Sequence, residues 1–267
     1  MGEKKAWIFT LGTEVVRGLV VNTNAAFLGR RLSQLGIAVS GVITLVDDRK
    51  LIANLLRYVL RDHEPDLIVM TGGLGPTYDD ITLESIAEAL EKPLTINREA
   101  FEMLKEKFVS RGYELTKERL KMAYMPEGAV AISNPVGTAP GAVIRYGKTV
   151  IVCLPGVPRE MEEMWVKHVE NVIKEFGVLY TAEGSFTVVG VPEAVLAPIL
   201  RKFYEPSGST YIKSHPRGYE LSNPIVEVYV SVTSTSIELA KSLAKEVCDK
   251  IAEEVVRLGG SIRHYGC

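Results

Sequence analysis

The sequence predicts an α/β fold built on a mostly parallel sheet, followed by a small α+β domain, and three observations predict it. Short β-rich runs alternate with amphipathic helical patterns through the first half of the chain. Residues able to do chemistry gather directly after those runs, at the carboxyl ends of the strands, where ligands of open parallel sheets bind. From Val178 the order changes to strand, helix, strand, strand, helix, which places domains at 1–177 and 178–267.

The first strand is AWIFTLG (Ala6 to Gly12), whose Trp, Ile and Phe suit a buried strand. Asn22 or Thr23 caps the next helix, in which Phe27, Leu28, Leu32 and Leu35 recur at helical spacing until Gly36 stops it. IAVSGVITLV reads as the second strand. From Asp48, the residues Leu51, Ile52, Leu55, Leu56, Val59 and Leu60 trace the apolar face of another helix, which Pro65 ends. DLIVMTGG is the third strand, so the spacing is that of parallel crossovers. Helices are expected at Thr82 to Glu91, Asn97 to Arg111 and Thr116 to Tyr124. A loop (SNPVGTAPGA), a hairpin turning at Tyr146 to Lys148, and a helix from PGVPREM to Phe176 complete the first domain. The second reads as a strand (Ala182 to Val191), a helix (Pro192 to Phe203), strands Ser209 to His215 and Pro224 to Thr233, and a helix from Ser236 to Leu258.

Lys plus Arg total 31 against 33 Asp plus Glu, which excludes the basic excess that binds nucleic-acid backbones, so nucleic acid is not an expected partner. No run approaches the roughly 20 apolar residues that cross a bilayer, and MGEKKAWIFTLG meets charge too early for a secretion signal. No membrane partner is expected. Cys153, Cys248 and Cys267 are too few, too far apart and odd in number for a disulfide framework or a CxxC metal site, which favours the cytoplasm. His63, His168, His215 and His264 fall on different elements without an HExxH pair, against zinc.

The strands end in GTE (Gly12 to Glu14), VDD (Val46 to Asp48), GGLGPTYDD (Gly72 to Asp80) and LPGVPRE. Gly72, Gly73 and Gly75 permit positive φ and close approach, so backbone N–H groups can converge on an anion near the start of a helix. Asp79 and Asp80 suit such a site only with a cation between them and a phosphate, and carboxylate plus phosphate oxygens are what Mg2+ selects. The bland alternative is a tight glycine turn with an Asp capping the helix. NPVGTAPGA offers a small-residue path from Gly137 through Thr138 to Gly141, and Pro155 and Gly156 open the helix of Pro158, with Arg159 as a possible cation.

Four stretches in this order, NTNAAFLGRRLSQLG, MTGGLGPTYDDIT, NPVGTAPG and LPGVPREM, closely resemble the amino-terminal region of the CinA (competence/damage-inducible) family, within the molybdopterin-binding-like superfamily. The resemblance covers roughly Lys5 to Phe176, and the rest looks like the KH-type module that follows in that family. It implies a three-layer first domain, a homo-oligomer such as a dimer, and a metal-dependent nucleotide pyrophosphatase that cleaves ADP-ribose to AMP and ribose 5-phosphate. Asp80 and Asp48 match its acidic positions, and Glu14 lies in a stretch that commonly reads Gly-Asp-Glu-Leu-Leu, with Thr13 here where the Asp is expected. Asp80, Asp48 and Glu14 are thus the candidate catalytic groups, and with Asp79 the candidate ligands of Mg2+, Mn2+ or Co2+. Gly72, Gly73, Gly75, Thr77, Asn22, Asn24, Gly137, Thr138, Gly141, Pro155 and Gly156 are the candidate substrate contacts; Asn22 and Asn24 also read as helix-start residues. Some relatives carry a domain that deamidates nicotinamide mononucleotide, which 267 residues leave no room for, so that activity is not expected. The competing function is a molybdopterin or adenylylated-molybdopterin binding protein without hydrolase activity. A third, kept open by Thr13, is an interaction protein that has lost catalysis.

Overall fold

In the computed structural model, residues 4–174, 176, 179–204, 209–218, 222 and 224–267 are described. The chain divides into two units, one formed by residues 2–32 and 38–177, the other chiefly by 33–37 and 178–267.

The first unit runs β1 (Lys4–Leu11), α1 (Thr13–Val16), α2 (Thr23–Gln34), β2 (Ile37–Leu45), α3 (Arg49–Tyr58), β3 (Leu67–Thr71), α4 (Thr82–Ala89), β4 (Leu94–Ile96) and α5 (Arg98–Phe108). It continues with α6 (Lys117–Lys121), β5 (Tyr124–Pro126), β6 (Val130–Ile132), β7 (Gly141–Tyr146), β8 (Thr149–Leu154), α7 (Pro158–Met164) and α8 (Glu170–Lys174). Its main sheet has the order β2-β1-β3-β8-β7-β6, with β1, β3 and β8 parallel and β7 antiparallel to both neighbours. The hairpin turns where expected, with Tyr146 opposite Thr149 and Gly147 at φ +55°.

Alternate residues of the central strands are buried on both faces. Phe9, Ile68, Met70, Ile151 and Cys153 join one core with Ile52 and Leu56 of α3, Ile86 of α4 and Leu104 of α5, while Ile8, Val69 and Val152 are equally buried on the other face. A sheet covered on both faces is the doubly wound, three-layer arrangement, and it explains why these strands read as continuous apolar runs. The same crossovers bring the ends of β1, β3 and β8 side by side.

The second unit runs β9 (Tyr180–Val189), α9 (Glu193–Phe203), β10 (Thr210–Pro216), β11 (Ile225–Ser234), α10 (Ile237–Arg257) and β12 (Ser261–Gly266). The first five match the expected order, and β12 is an element the sequence reading missed. It pairs antiparallel with β9, giving an all-antiparallel sheet of order β10-β11-β9-β12, the arrangement of a split β-α-β fold rather than of a five-element module. The α10 stripe is core where it carries Ile251 and Val255, but Leu239 and Leu258 lie exposed at its ends.

The cysteine reading needs correction. Cys248 of α10 is disulfide-bonded to Cys267, directly after β12, and only Cys153 is free. The chain pairs residues 19 apart in sequence because α10 and β12 pack on one strand, which spacing alone did not reveal. The argument from unpaired cysteines to a reducing compartment therefore loses its premise. Among the described residues, no helix is long and apolar enough to cross a membrane.

Candidate functional site

At the carboxyl ends of β1, β3 and β8 lies a cleft of about 460 Å³, bounded by Gly12, Glu14 and Asp47 on one side, Gly72–Asp80 across the floor, and Thr138, Pro155–Val157 and Glu160 opposite. Among the described residues its lining includes five carboxylates, Glu14, Asp47, Asp79, Asp80 and Glu160, and no Lys, Arg or His.

The Gly72–Gly73 corner follows from backbone chemistry. Gly72 at φ +96° has no room for a Cβ, which would stand 2.2 Å from the Leu11 carbonyl oxygen, and Gly73 is at φ +64°. Both residues hand their carbonyls to Thr82 at the start of α4: the Thr82 hydroxyl donates to the Gly72 oxygen at 2.7 Å and the Thr82 N–H to the Gly73 oxygen at 3.1 Å. Glycine is thus required by the turn itself, whatever the cleft binds.

Beyond Gly75 the loop is closed by Asp80, whose Oδ2 accepts from the Thr77 N–H at 2.8 Å and the Thr77 hydroxyl at 2.6 Å. The same hydroxyl contacts Asp79, yet it has one proton and can donate to only one carboxylate at a time. That hydrogen bond first, then one to the Asp79 backbone, hold the Asp79 carboxyl below the usual carboxylate range against slight desolvation, with the charge of Lys121 adding a little. Lys121 itself donates to the Thr77 carbonyl at 2.7 Å and lines a small adjoining pocket with Gly75, Asp80 and Glu84.

The carboxylate after β2 that reaches the cleft is Asp47, not Asp48. Asp48 is exposed and caps α3, accepting from the Leu51 N–H at 2.9 Å. Asp47 turns toward α1 and accepts from the Thr13 N–H at 2.9 Å and the Thr13 hydroxyl at 2.8 Å. Thr13, standing where the resemblance expects Asp, is therefore the donor that holds Asp47. The VDD motif left open which of its two carboxylates faces inward, because a strand end does not show how the chain turns.

Glu160 was missed altogether. It sits in the first turn of α7 and accepts from the Asn134 side chain at 2.6 Å, over Gly137, where a Cβ would lie 2.0 Å from its Oε2. Asn134 is buried and folds the NPVGTAPG loop by accepting from the Val136 and Gly137 N–H groups at 3.1 and 2.7 Å, while Lys107 donates to the carbonyls of Asn134 and Gly137. Desolvation lowers the Lys107 pKa, opposed by the charge of Glu160. The signal for Glu160 was present in PGVPREM, but a carboxylate in a first helical turn reads equally as dipole compensation.

Of the expected contacts, Glu14, Gly72, Gly73, Gly75, Thr77, Asp79, Asp80, Thr138, Pro155 and Gly156 line the cleft; Asp48, Asn22, Asn24, Gly137 and Gly141 do not. Asn22 has structural work: its Oδ1 accepts from the Ala25 N–H at 3.0 Å, the geometry of a helix cap, and its amide bridges Thr10 and Thr44 at 3.1 Å each. Asn24 is buried and donates to the Gly156 carbonyl at 2.8 Å, tying α2 to the cleft wall. Gly141 lies in β7, where a Cβ would come within 2.6 Å of the Cys153 carbonyl oxygen.

Residues 7–175, which contain the whole lining, match the family model described as a probable molybdopterin binding domain. Over nearly its full length the chain is similar to archaeal proteins whose names state no function. A Pyrobaculum arsenaticum protein is 43% identical over 249 residues, covering 93% of each chain. An Aeropyrum pernix protein is 41% identical over 259 residues, covering 97% of this chain and 96% of that one. Among solved structures, the CinA protein with unknown function from Thermoplasma acidophilum is 42% identical with a TM-score of 0.60, covering 64% of this chain and 98% of its own.

Proposed function

The chain belongs to the family of probable molybdopterin binding domains, and from that premise we propose that its cleft binds the phosphate-bearing end of molybdopterin or of its adenylylated form with the help of a divalent cation. The observation that carries this reading is the lining: five carboxylates and no basic side chain, set beside the glycine loop at the start of α4. Lys121 and Lys107 act on Asp79 and Glu160 without entering the lining, and backbone N–H groups do not offset the remaining negative charge, so an anionic ligand entering here requires positive charge to arrive with it.

The donor set fits a hard cation. All candidate donors are oxygens, as Mg2+ and Mn2+ prefer, and among the described residues no three acidic, His or Cys groups form a ready-made ion site. That combination suits an ion held by one or two carboxylates and completed by phosphate oxygens and water. Asp80 or Asp79 would hold it on the loop side and Asp47 or Glu14 on the β1 side; when bound, it would supply charge neutralisation and Lewis acidity. Gly73 and Gly75 would orient the phosphate through their N–H groups, and Thr138 with the Gly156 backbone would bound the rest of the ligand.

A second reading, metal-dependent hydrolysis of a nucleotide pyrophosphate such as ADP-ribose, is favoured by the surplus of carboxylates in the lining. In that case Asp80, Asp47 and Glu14 would neutralise and orient the pyrophosphate for in-line attack by water on one phosphorus, with Asp47 taking the place assigned above to Asp48.

One experiment separates the readings. The protein and its Asp80→Asn variant are titrated with a pterin phosphate and with ADP-ribose by calorimetry, each with and without Mg2+, Mn2+ or Co2+, and the mixtures are then chromatographed. Cation-dependent binding without products supports the first reading, and AMP that disappears in the variant supports the second. Undiminished binding with a chelator present would remove the cation from both.

A further inference from the structure

We propose that the Cys248–Cys267 disulfide is a reducible latch: it holds β12 on the edge of the second unit's sheet, and a dithiol reductant releases that strand while the remainder of the unit stays folded. The bridge occupies a niche made for it. Gly184 on β9 lies beneath it, and a Cβ there would stand 2.6 Å from the Cys267 Sγ and 3.2 Å from the Cys248 Sγ. Cys248 is fully buried among Val228, Val230 and Ile251, and Cys267 packs on the same core while remaining partly exposed.

Without the bridge, β12 has little to keep it in place. It lies at the sheet edge, among the described residues it pairs only with β9, and its register shifts between Arg263 and Gly266. His264 sits at φ +48°, a left-handed conformation that costs a residue with a side chain. Five of its six residues are exposed, leaving Ile262 partly buried and the Tyr265 ring stacked 6.1 Å from Phe186, with the Tyr265 hydroxyl donating to Asp249 of α10. An edge segment with so little buried surface is of the kind that opens locally before the core does. By contrast, β9, β11 and α10 share an apolar core to which β12 adds only the partly buried Ile262 and, beyond it, Cys267.

The chemistry balances as ordinary thiol–disulfide exchange. A thiolate of the dithiol attacks the Sγ of Cys267, the accessible partner; that bond forms as the Sγ–Sγ bond breaks, and the electron pair leaves on Cys248, which takes a proton. The second thiol of the reductant then closes on the mixed disulfide and frees Cys267, so that the dithiol is oxidised by two electrons and the protein disulfide becomes two thiols.

The test is hydrogen exchange read by mass spectrometry on the full-length protein, oxidised and after dithiothreitol, with Cys267→Ser as a permanently unlatched form. Thiol labelling of the denatured chain should give one reactive cysteine before reduction and three after. Amides of 261–267 and of the facing Ser185–Val189 should then exchange roughly tenfold faster or more, with β10, β11 and α10 unchanged. Should Cys267→Ser fail to fold, reduced wild-type protein provides the same reading. Unchanged exchange of 261–267 after reduction would overturn the proposal, as would loss of protection throughout the unit, which would make the bridge a staple of the whole fold. Three reactive thiols before reduction would overturn it at the outset.

Discussion

The cleft loops of the first unit and the β12 edge of the second are stabilised in opposite ways. In the cleft, three carboxylates are each held by a polar partner: Asp80 by Thr77 three residues away, Asp47 by Thr13 of α1, and Glu160 by Asn134 of the loop after β6. At the edge, a strand with scant apolar contact is tied by a covalent bond between residues 19 apart. Short polar contacts fix geometry while leaving carboxylates open to a ligand; a disulfide fixes position and offers nothing to bind. The comparison predicts that damage to the cleft loses ligand binding, whereas damage to the edge loses local stability and leaves binding intact.

The largest effect is expected at the glycine corner. Gly72→Ala forces a side chain into a left-handed backbone and against the Leu11 carbonyl oxygen, and should cost about 4 kcal/mol in denaturant unfolding together with all ligand binding. A loss under about 1 kcal/mol would mean the loop relaxes freely, and the corner would not be the rigid floor described. Next in size, Cys267→Ser should lower the local protection of 261–267 roughly tenfold or more, about 1.4 kcal/mol, in hydrogen exchange, while protection of β10, β11 and α10 and ligand affinity measured by calorimetry stay constant. If affinity falls with it, the two regions are coupled and the contrast fails.

Thr13→Asp sharpens the comparison within the cleft. It places a second carboxylate against Asp47 in place of the hydroxyl donor at 2.8 Å, and should cost roughly 1–2 kcal/mol of stability in a chelator. Excess Mg2+ should restore melting temperature in this variant more than in the parent, and equal responses would remove Asp47 from the cation site.

The smallest effect lies at the far end of the strands from the cleft. Burial works to raise the Asp66 pKa, but hydrogen bonds from the Lys4 ammonium and the Lys5 N–H, with the charges of Lys4 and Lys148, outweigh it and bring it below the ordinary 3.8. A depressed carboxylate contributes stability that is present above its unfolded value and is lost as pH falls through the folded one. Asp66→Asn should therefore remove under about 1 kcal/mol at neutral pH and flatten the acid limb of the stability curve below pH 4, leaving cleft binding unchanged. A variant whose acid limb matches the parent would show that the pair contributes nothing.

Much of this was legible because the signals are local. Apolar runs such as LIVMT gave the buried strands, Asp48 gave a helix start, and Gly72 and Gly73 gave a left-handed corner, since strand burial, capping and positive φ are decided within a few residues. What was not legible depends on how distant segments meet. Asp48 and Asp47 are neighbours with the same side chain, and only the turn of the chain toward α1 selects Asp47 for the cleft. Glu160 acquires meaning only when the loop carrying Asn134 and Gly137 folds beneath it. The segment forming β12, SIRHYG, has neither clean alternation nor a buried run, so its strand identity comes from the open edge of β9.

By itself, then, the sequence determined the alternation of strands and helices, the division near residue 178, the glycine loop after β3 and the clustering of acids at strand ends, because periodicity, backbone permissiveness and charge are properties of short stretches. The tertiary structure alone decided which carboxylates converge, that Thr13 is a donor to Asp47, and that Cys248 meets Cys267. Those are relations between segments brought together by burial of the two cores, and no single stretch contains the free energy that brings them together.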